Sequence, residues 1–156
     1  MLGVVDRVFV AVWLATPSVD AIKRAGAAMH AHAEQHPRGI VSLNVLERSA
    51  SPPEAPARQA FAGVIRTLGD GVKAYAAVRE SEGFGLAIVR SVLTGVTMLV
   101  RTPAPLKLFG AVDEAADWLV PHLGPPTLNG VDLTAAVREL RSPARTSDAP
   151  SSRVRE

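Results

Sequence analysis

Lys73-Ala-Tyr-Ala-Ala-Val-Arg79, then residues 83–101, then Pro105-Leu-Lys-Leu-Phe109, then residues 113–119, read in order as strand, helix, strand, helix. The first and third pieces are short, apolar and bounded by charge, glycine or proline, as strands are. The second spaces its apolar residues by threes and fours, the signature of a helix. A strand, a helix and another strand in succession imply parallel strands joined by helical crossovers.

The same alternation extends towards the N-terminus. Val8-Phe-Val-Ala-Val-Trp13 is rich in β-branched and aromatic residues and reads as a strand, with Val4-Val5 a short leading strand turned at Asp6-Arg7. Thr16-Pro17 is a helix start, with threonine as the cap and proline at the first helical position. Val19, Ile22, Gly26, Met29 and Ala33 then make one helical stripe that ends near His36-Pro37-Arg38-Gly39. Gly39-Ile-Val-Ser-Leu-Asn-Val-Leu46 is a near-continuous apolar run, as in a strand covered on both faces. Ser51-Pro52-Pro53-Glu54 has the form of a capping box, opening a helix that places Ala57, Phe61, Val64, Ile65 and Leu68 on one side. Gly69-Asp70-Gly71 closes that helix. After Pro121 and Gly124-Pro125-Pro126, residues 131–141 form a short amphipathic helix through Val131, Leu133, Val137 and Leu140.

The expected fold class is therefore α/β: a single-layer, mostly parallel β-sheet with helices packed against it, its leading strand free to be an antiparallel edge. Residues 1–123 form the domain, 124–141 a linker and short C-terminal helix, and 142–156 a disordered tail of Ser, Pro, Arg, Asp and Thr with nothing to bury.

Composition narrows the function classes. The chain has 156 residues, enough for one domain, and is 47% hydrophobic with a mean hydropathy of +0.17. Only 4% is aromatic, so the core is built from Ala, Val and Leu. No apolar run approaches the ~20 residues that span a bilayer, and with no basic stretch ahead of its first apolar residues and no small-residue cleavage site, no secretory signal is expected. With no cysteine there are neither disulfides nor thiolate metal sites, and a cytoplasmic location is the simplest expectation. The pI of 9.5 suggests nucleic acid, but residues 1–140 hold 13 Lys+Arg and 13 Asp+Glu, so the net charge of +2 belongs to residues 141–156. Without a basic face or interleaved aromatics to stack bases, no nucleic-acid partner is expected.

In its element order, in Ala74-Tyr-Ala-Ala-Val78 leading to Gly83-Phe84, in Ala87-Ile-Val-Arg90-Ser91 and in Ala115-Ala-Asp-Trp118-Leu119, the chain resembles a STAS-type domain, the fold of the sporulation anti-sigma-factor antagonist. The resemblance spans residues 4–123 and lies more in architecture than in identities. It implies a non-enzymatic regulatory module of bacterial signalling that acts on protein partners through helix faces. Antagonists of that family carry Asp-Ser-x-Gly after the central strand, with the serine phosphorylated. Here the matching stretch is Glu47-Arg48-Ser49-Ala50-Ser51-Pro52-Pro53, without the Asp or the Gly. Ser51 is the candidate phosphosite, with Ser49 beside it; the alternative role for Ser51 is a helix cap.

Residues able to carry chemistry are sparse. His30, His32 and His36 are the only histidine cluster, and only His32 and His36, four apart, share a helix face. A solvated helix end explains them without a metal. No nucleophile elbow or catalytic triad is present, and Glu82-Gly83-Phe84-Gly85 lacks the third glycine and lysine of a phosphate loop. An enzyme would need Glu47, Arg48, Glu80 or Glu82 to converge in a cleft. No cofactor is expected.

The 83–101 helix carries the strongest functional signal. On a wheel of ~100° per residue its apolar residues cover roughly 200°, wider than one sheet face requires. Arg90, Thr94, Thr97 and Arg101 make the narrow opposite face. The surplus is covered either by the helices that follow it or by something outside the domain. Phe84, Leu86, Val89, Leu93 and Val100, flanked by Arg90, are the candidate contact surface for a protein partner or a second copy of the chain. The alternative occupant of the fold is a small apolar molecule or lipid.

Overall fold

The computed structural model describes residues 1–80, 94, 104–125 and 130–142. Five strands form one sheet in the order β1 to β5: β1 (Leu2–Val5), β2 (Val8–Trp13), β3 (Ile40–Leu46), β4 (Val72–Val78) and β5 (Leu106–Phe109). β1 pairs antiparallel with β2, and every other neighbouring pair is parallel. The α/β class and the antiparallel leading edge are thus as the sequence implied. Asp6 turns the β1–β2 hairpin at φ 49°, a left-handed conformation that a short polar side chain tolerates.

Helix α1 (Val19–Glu34) joins β2 to β3, and α2 (Ala55–Leu68) joins β3 to β4. Strands adjacent in sequence are adjacent in the sheet. Each right-handed crossover therefore steps in the same direction and sets its helix on the same face. That face buries Phe9, Ala11, Ile40, Val72 and Tyr75 against Ile22, Ala25 and Met29 of α1 and Ala62 and Ile65 of α2. The two helices approach closely at Gly26, where an added Cβ would stand 2.5 Å from a Val64 methyl.

After β5 the chain turns back across the opposite face. Helix α3 (Val112–Leu119), a 3-10 turn (Val120–Leu123) and α4 (Gly130–Arg141) cover the valines of β2 and β3. Leu133 and Val137 of α4 are fully enclosed there, and Leu140 packs against the same cluster. The expected stripe is thus used in part, since Val131 is 77% exposed. The buried Arg7 ties the faces together at the N-terminal end of the sheet, donating to the carbonyls of Gly39 (3.4 Å) and Leu123.

Both expected helix caps are displaced. The α1 cap is Ser18, whose Oγ accepts from the Ala21 N–H at 3.2 Å. Thr16 instead accepts the Ser51 N–H at 3.0 Å, fastening the loop after β3 to the loop after β2. Glu54 is the α2 cap, without a side-chain hydrogen bond, so the Ser51 capping box does not form. With two prolines after Ser51, the helix cannot begin at the serine: each fixes its own φ and the second restricts the first to extended backbone. Among the described residues no helix is long and apolar enough to cross a membrane.

Candidate functional site

Strand periodicity decides what lies beneath α1 and α2. On β3, Val41, Leu43 and Val45 turn to the α3–α4 side, so Ser42 and Asn44 share the other face with Ile40 and Leu46. On β4 the same alternation sets Tyr75 and Ala77 on that face, with Ser42 opposite Tyr75 and Asn44 opposite Ala77. A strand that reads as nearly all apolar therefore carries its two polar side chains together, against one layer.

Between this face and the helices is a cavity of about 120 Å³. Its floor is Asn44, Leu46, Tyr75 and Ala77, with Leu106 of β5 at one side. Its roof is Ile22, Ala25 and Met29 from α1 and Phe61, Val64 and Ile65 from α2, and Trp13, Pro17 and Pro53 complete it near the C-terminal ends of the strands. Small residues make the space. Ala25 and Ala77 stand where larger side chains would meet, and Gly26 lets the helices touch without lowering the roof. Trp13 is held edge-on to Phe61, centroids 5.8 Å apart. Its Nε1 donates to Asn44 Oδ1 at 3.3 Å, and Asn44 Nδ2 donates to Ser42 Oγ at 3.0 Å.

Tyr75 is the exception to this satisfied network. The residue is 4% exposed, and its hydroxyl has no hydrogen-bond partner among the described residues. Burial pushes its pKa upward, so the phenol stays protonated and remains a donor at neutral pH. A buried hydroxyl without a partner costs the fold about 1–3 kcal/mol.

The polar residues named as an alternative site do meet, at the C-terminal edge of the sheet, but in a closed arrangement. Arg141, the last residue of α4, donates from Nε to Glu47 Oε1 at 2.6 Å and from its two terminal nitrogens to both oxygens of Glu80, each at 3.2 Å. Burial alone would lower the Arg141 pKa, yet hydrogen bonds to Glu80 and Glu47 outweigh it and raise the value. Arg48 Nε donates to the Glu80 carbonyl at 2.7 Å, and Arg79 reaches the Ala50 carbonyl at 2.7 Å. One permanent cation thus holds both carboxylates, an arrangement suited to clamping α4 onto the sheet. Glu82 lies outside the described residues.

The histidines divide. His32 and His36 share a face as their spacing implied, rings 4.4 Å apart, while His30 pairs with Glu34 at 3.7 Å. His32 is not at a solvated helix end: it is 9% exposed, and its Nε2 has no partner among the described residues. Burial, then the neighbouring His36, lower its pKa, against opposing contributions from a backbone hydrogen bond and the charge of Asp6. Among the described residues no group of three or more His, Cys, Asp or Glu is placed to hold a metal ion.

The loop bearing Ser49 and Ser51 is tied to the loop after β2, with both serines exposed. Ser49 Oγ donates to the Leu14 carbonyl at 3.0 Å, and Ala50 is buried beneath Arg79. Phe84, Leu86, Val89, Arg90, Leu93 and Val100 lie outside the described residues, as do the tail residues beyond Ser142. Thr94, on the expected polar face of the same stretch, is helical and exposed. Sequence reasoning missed the cavity residues, although the two-residue spacing of Ser42 and Asn44 was a usable signal. No family model matches the chain, and no curated protein or solved structure matches it.

Proposed function

We propose that the chain is a non-enzymatic binding module of STAS-like architecture, and that it holds a small, largely apolar molecule between the α1–α2 pair and the sheet. The observation that carries this is the cavity of about 120 Å³, walled mainly by apolar side chains of both helices and the sheet. For scale, an engineered cavity of about 150 Å³ lined by Leu, Ile and Phe accepts benzene. The occupant is therefore of one-ring size, or the tip of a short acyl chain. Catalysis finds little support, since Glu47 and Glu80 are both clamped by Arg141. A role in bacterial signalling rests on the STAS resemblance. A protein-docking role through Phe84, Leu86, Val89, Arg90, Leu93 and Val100 rests on the breadth of the apolar arc in the sequence.

Chemical-shift titration of isotope-labelled protein with toluene tests the pocket. Saturable shifts should cluster at Ala25, Ile65 and Ala77 and disappear in Ala77→Leu, whose added carbons fill the floor. Shifts that are absent, or scattered over the surface and unaffected by Ala77→Leu, would contradict a pocket role.

A further inference from the structure

The strand order leaves β1 at one end of the sheet, paired with β2 and, among the described residues, with no other strand. The ladder fixes which way each of its backbone groups points. The Met1 amino group donates to the Val12 carbonyl at 2.6 Å, and the Met1 carbonyl accepts the Val12 N–H at 2.8 Å. Bonded pairs alternate along an antiparallel ladder, so Gly3–Val10 and Val5–Val8 are bonded in the same way. The N–H and C=O groups of Leu2 and Val4 therefore point away from the sheet. Side chains alternate as well. Leu2 and Val4 are opposite Ala11 and Phe9, on the α1–α2 face, yet they are 43% and 56% exposed.

Sheet edges ordinarily carry a lysine, a proline or a bulge that keeps other strands away. At the other end of the strand order, β5 has the exposed Lys107 in its middle and Pro105 just ahead of it. Leu2-Gly-Val-Val5 has no charged side chain, no proline and an unbroken register with β2. One end of the sheet is guarded and the other is not.

The pattern on β1 is also self-complementary, because the two outward-facing residues are symmetric about Gly3. A second copy of the strand, antiparallel and related by a twofold axis through Gly3, sets Leu2 of each copy opposite Val4 of the other. Both pairs then exchange N–H and C=O bonds, and no outward group of Leu2 or Val4 is left over. Sliding the copies by two residues would set Leu2 against Asp6, which has left the extended conformation. On the α1–α2 face the four aliphatic side chains meet as cross-strand neighbours. On the axis the two Gly3 Cα atoms approach to about 4.5 Å, as in any pair without hydrogen bonds between its members. Gly3 also makes room for Leu140 of α4, which would stand 2.8 Å from an added Cβ.

We infer that β1 is a homodimerisation edge: two copies of the chain pair antiparallel through Leu2–Val5 and join their five-stranded sheets into one. Identical edges meet across a twofold axis, so like charges there would repel, and residues 1–5 hold no charged side chain. The contact is small, so the dimer forms in a concentration-dependent equilibrium. The cavity is on β3 and β4 and plays no part in this inference.

Sedimentation equilibrium of the full chain from micromolar to submillimolar concentration, together with amide exchange at Val4, tests the edge. The mass should rise from 16.4 kDa towards twice that value, and the Val4 amide should become protected as it does. Val4→Lys sets a lysine from each copy beside the axis, and Val4→Pro removes an edge donor without touching a β1–β2 bond. Both should stay at monomer mass with unchanged circular dichroism, while Val4→Thr should still dimerise. Exchange at Val4 in wild type carries the test even if a variant fails to fold. A monomer at every concentration would overturn the inference, as would a dimer in which the Val4 amide stays unprotected. Protection of Val4 without a change in mass would mean that the chain covers its own edge, and would overturn it too.

Discussion

Replacing Tyr75 with Phe deletes one oxygen atom from the interior of the ligand-free protein and should make it more stable. The hydroxyl is shielded from solvent and has no partner among the described residues, so the folded state gives up its hydration without compensation. Relieving such a group recovers about 1–3 kcal/mol, and the retained ring keeps the packing against the α1–α2 layer. A chain of this length shifts its unfolding midpoint by about 2–4 °C per kcal/mol, which gives a rise of about 2–12 °C. Circular dichroism melts of the two proteins at pH 7, with urea midpoints as a second measure, provide the comparison. The direction of the Tyr75 pKa supplies an independent arm. Because burial raises it in the folded state, the unfolded chain ionises first, near the ordinary value of 10.0. Stability from the protonated phenol is fully present below that pH and is lost as pH rises through 10 towards the folded value. The gap between Tyr75→Phe and wild type should therefore widen above pH 10. A midpoint lowered by the substitution, or a gap that does not change with pH, would mean that the hydroxyl has a stabilising partner or reaches water.

Three further outcomes follow from the geometry. Arg141→Ala should loosen α4 and lower stability by about 1 kcal/mol, a modest figure because the three side chains are partly exposed, and the loss should shrink at high salt; urea unfolding at two ionic strengths checks both. His32 has a lowered pKa, so the stability it contributes is full above its ordinary value of 6.5 and is lost as pH falls through 6.5 towards the lower folded value; between pH 7 and 5 wild type should lose more stability than His32→Leu. Gly26→Val would drive its Cβ to 2.5 Å from a Val64 methyl, splaying α1 from α2 and costing about 1–3 kcal/mol, measured as a lowered denaturant midpoint without loss of helical content.

Much of the architecture was legible in the sequence because the periodicities are strong. Val8-Phe-Val-Ala-Val-Trp13 and Ile40-Val-Ser-Leu-Asn-Val-Leu46 are strands with both faces covered, so their near-continuous apolar character marks them directly. Ile22, Gly26 and Met29 fall on the buried side of α1 as their spacing required. The caps were less legible, because local signals competed. Thr16-Pro17 and Ser51-Pro52 each look like a helix start, yet Thr16 and the Ser51 N–H bind one another across two loops, a long-range contact that no local pattern encodes. His32 was misplaced for a related reason: its spacing matched a solvated face, but the chain folds the β1–β2 turn against it.

The site was the least legible part, since it depends on registry between strands. Ser42, Asn44 and Tyr75 are unremarkable singly, and only the parallel ladder brings them onto one face beneath two helices. The space itself arises from small residues, Ala25 and Ala77, which in a sequence look like ordinary core alanines. Conversely, Glu47, Arg48 and Glu80 did come together, but the partner that determines their role, Arg141, lies 61 positions beyond Glu80 in the chain. In the sequence it falls among the charges of residues 141–156.

The most direct test of the cavity is ligand-induced stabilisation compared between wild type and Ala77→Leu. A molecule that binds only the folded state at a hundred times its Kd adds about 2.7 kcal/mol, which raises the midpoint of a chain this long by roughly 5–11 °C. With cyclohexanone at that concentration, the wild-type midpoint should rise by this amount while that of Ala77→Leu stays where it was. If both proteins shift together, or neither shifts, the space between the helices and the sheet is not a binding site.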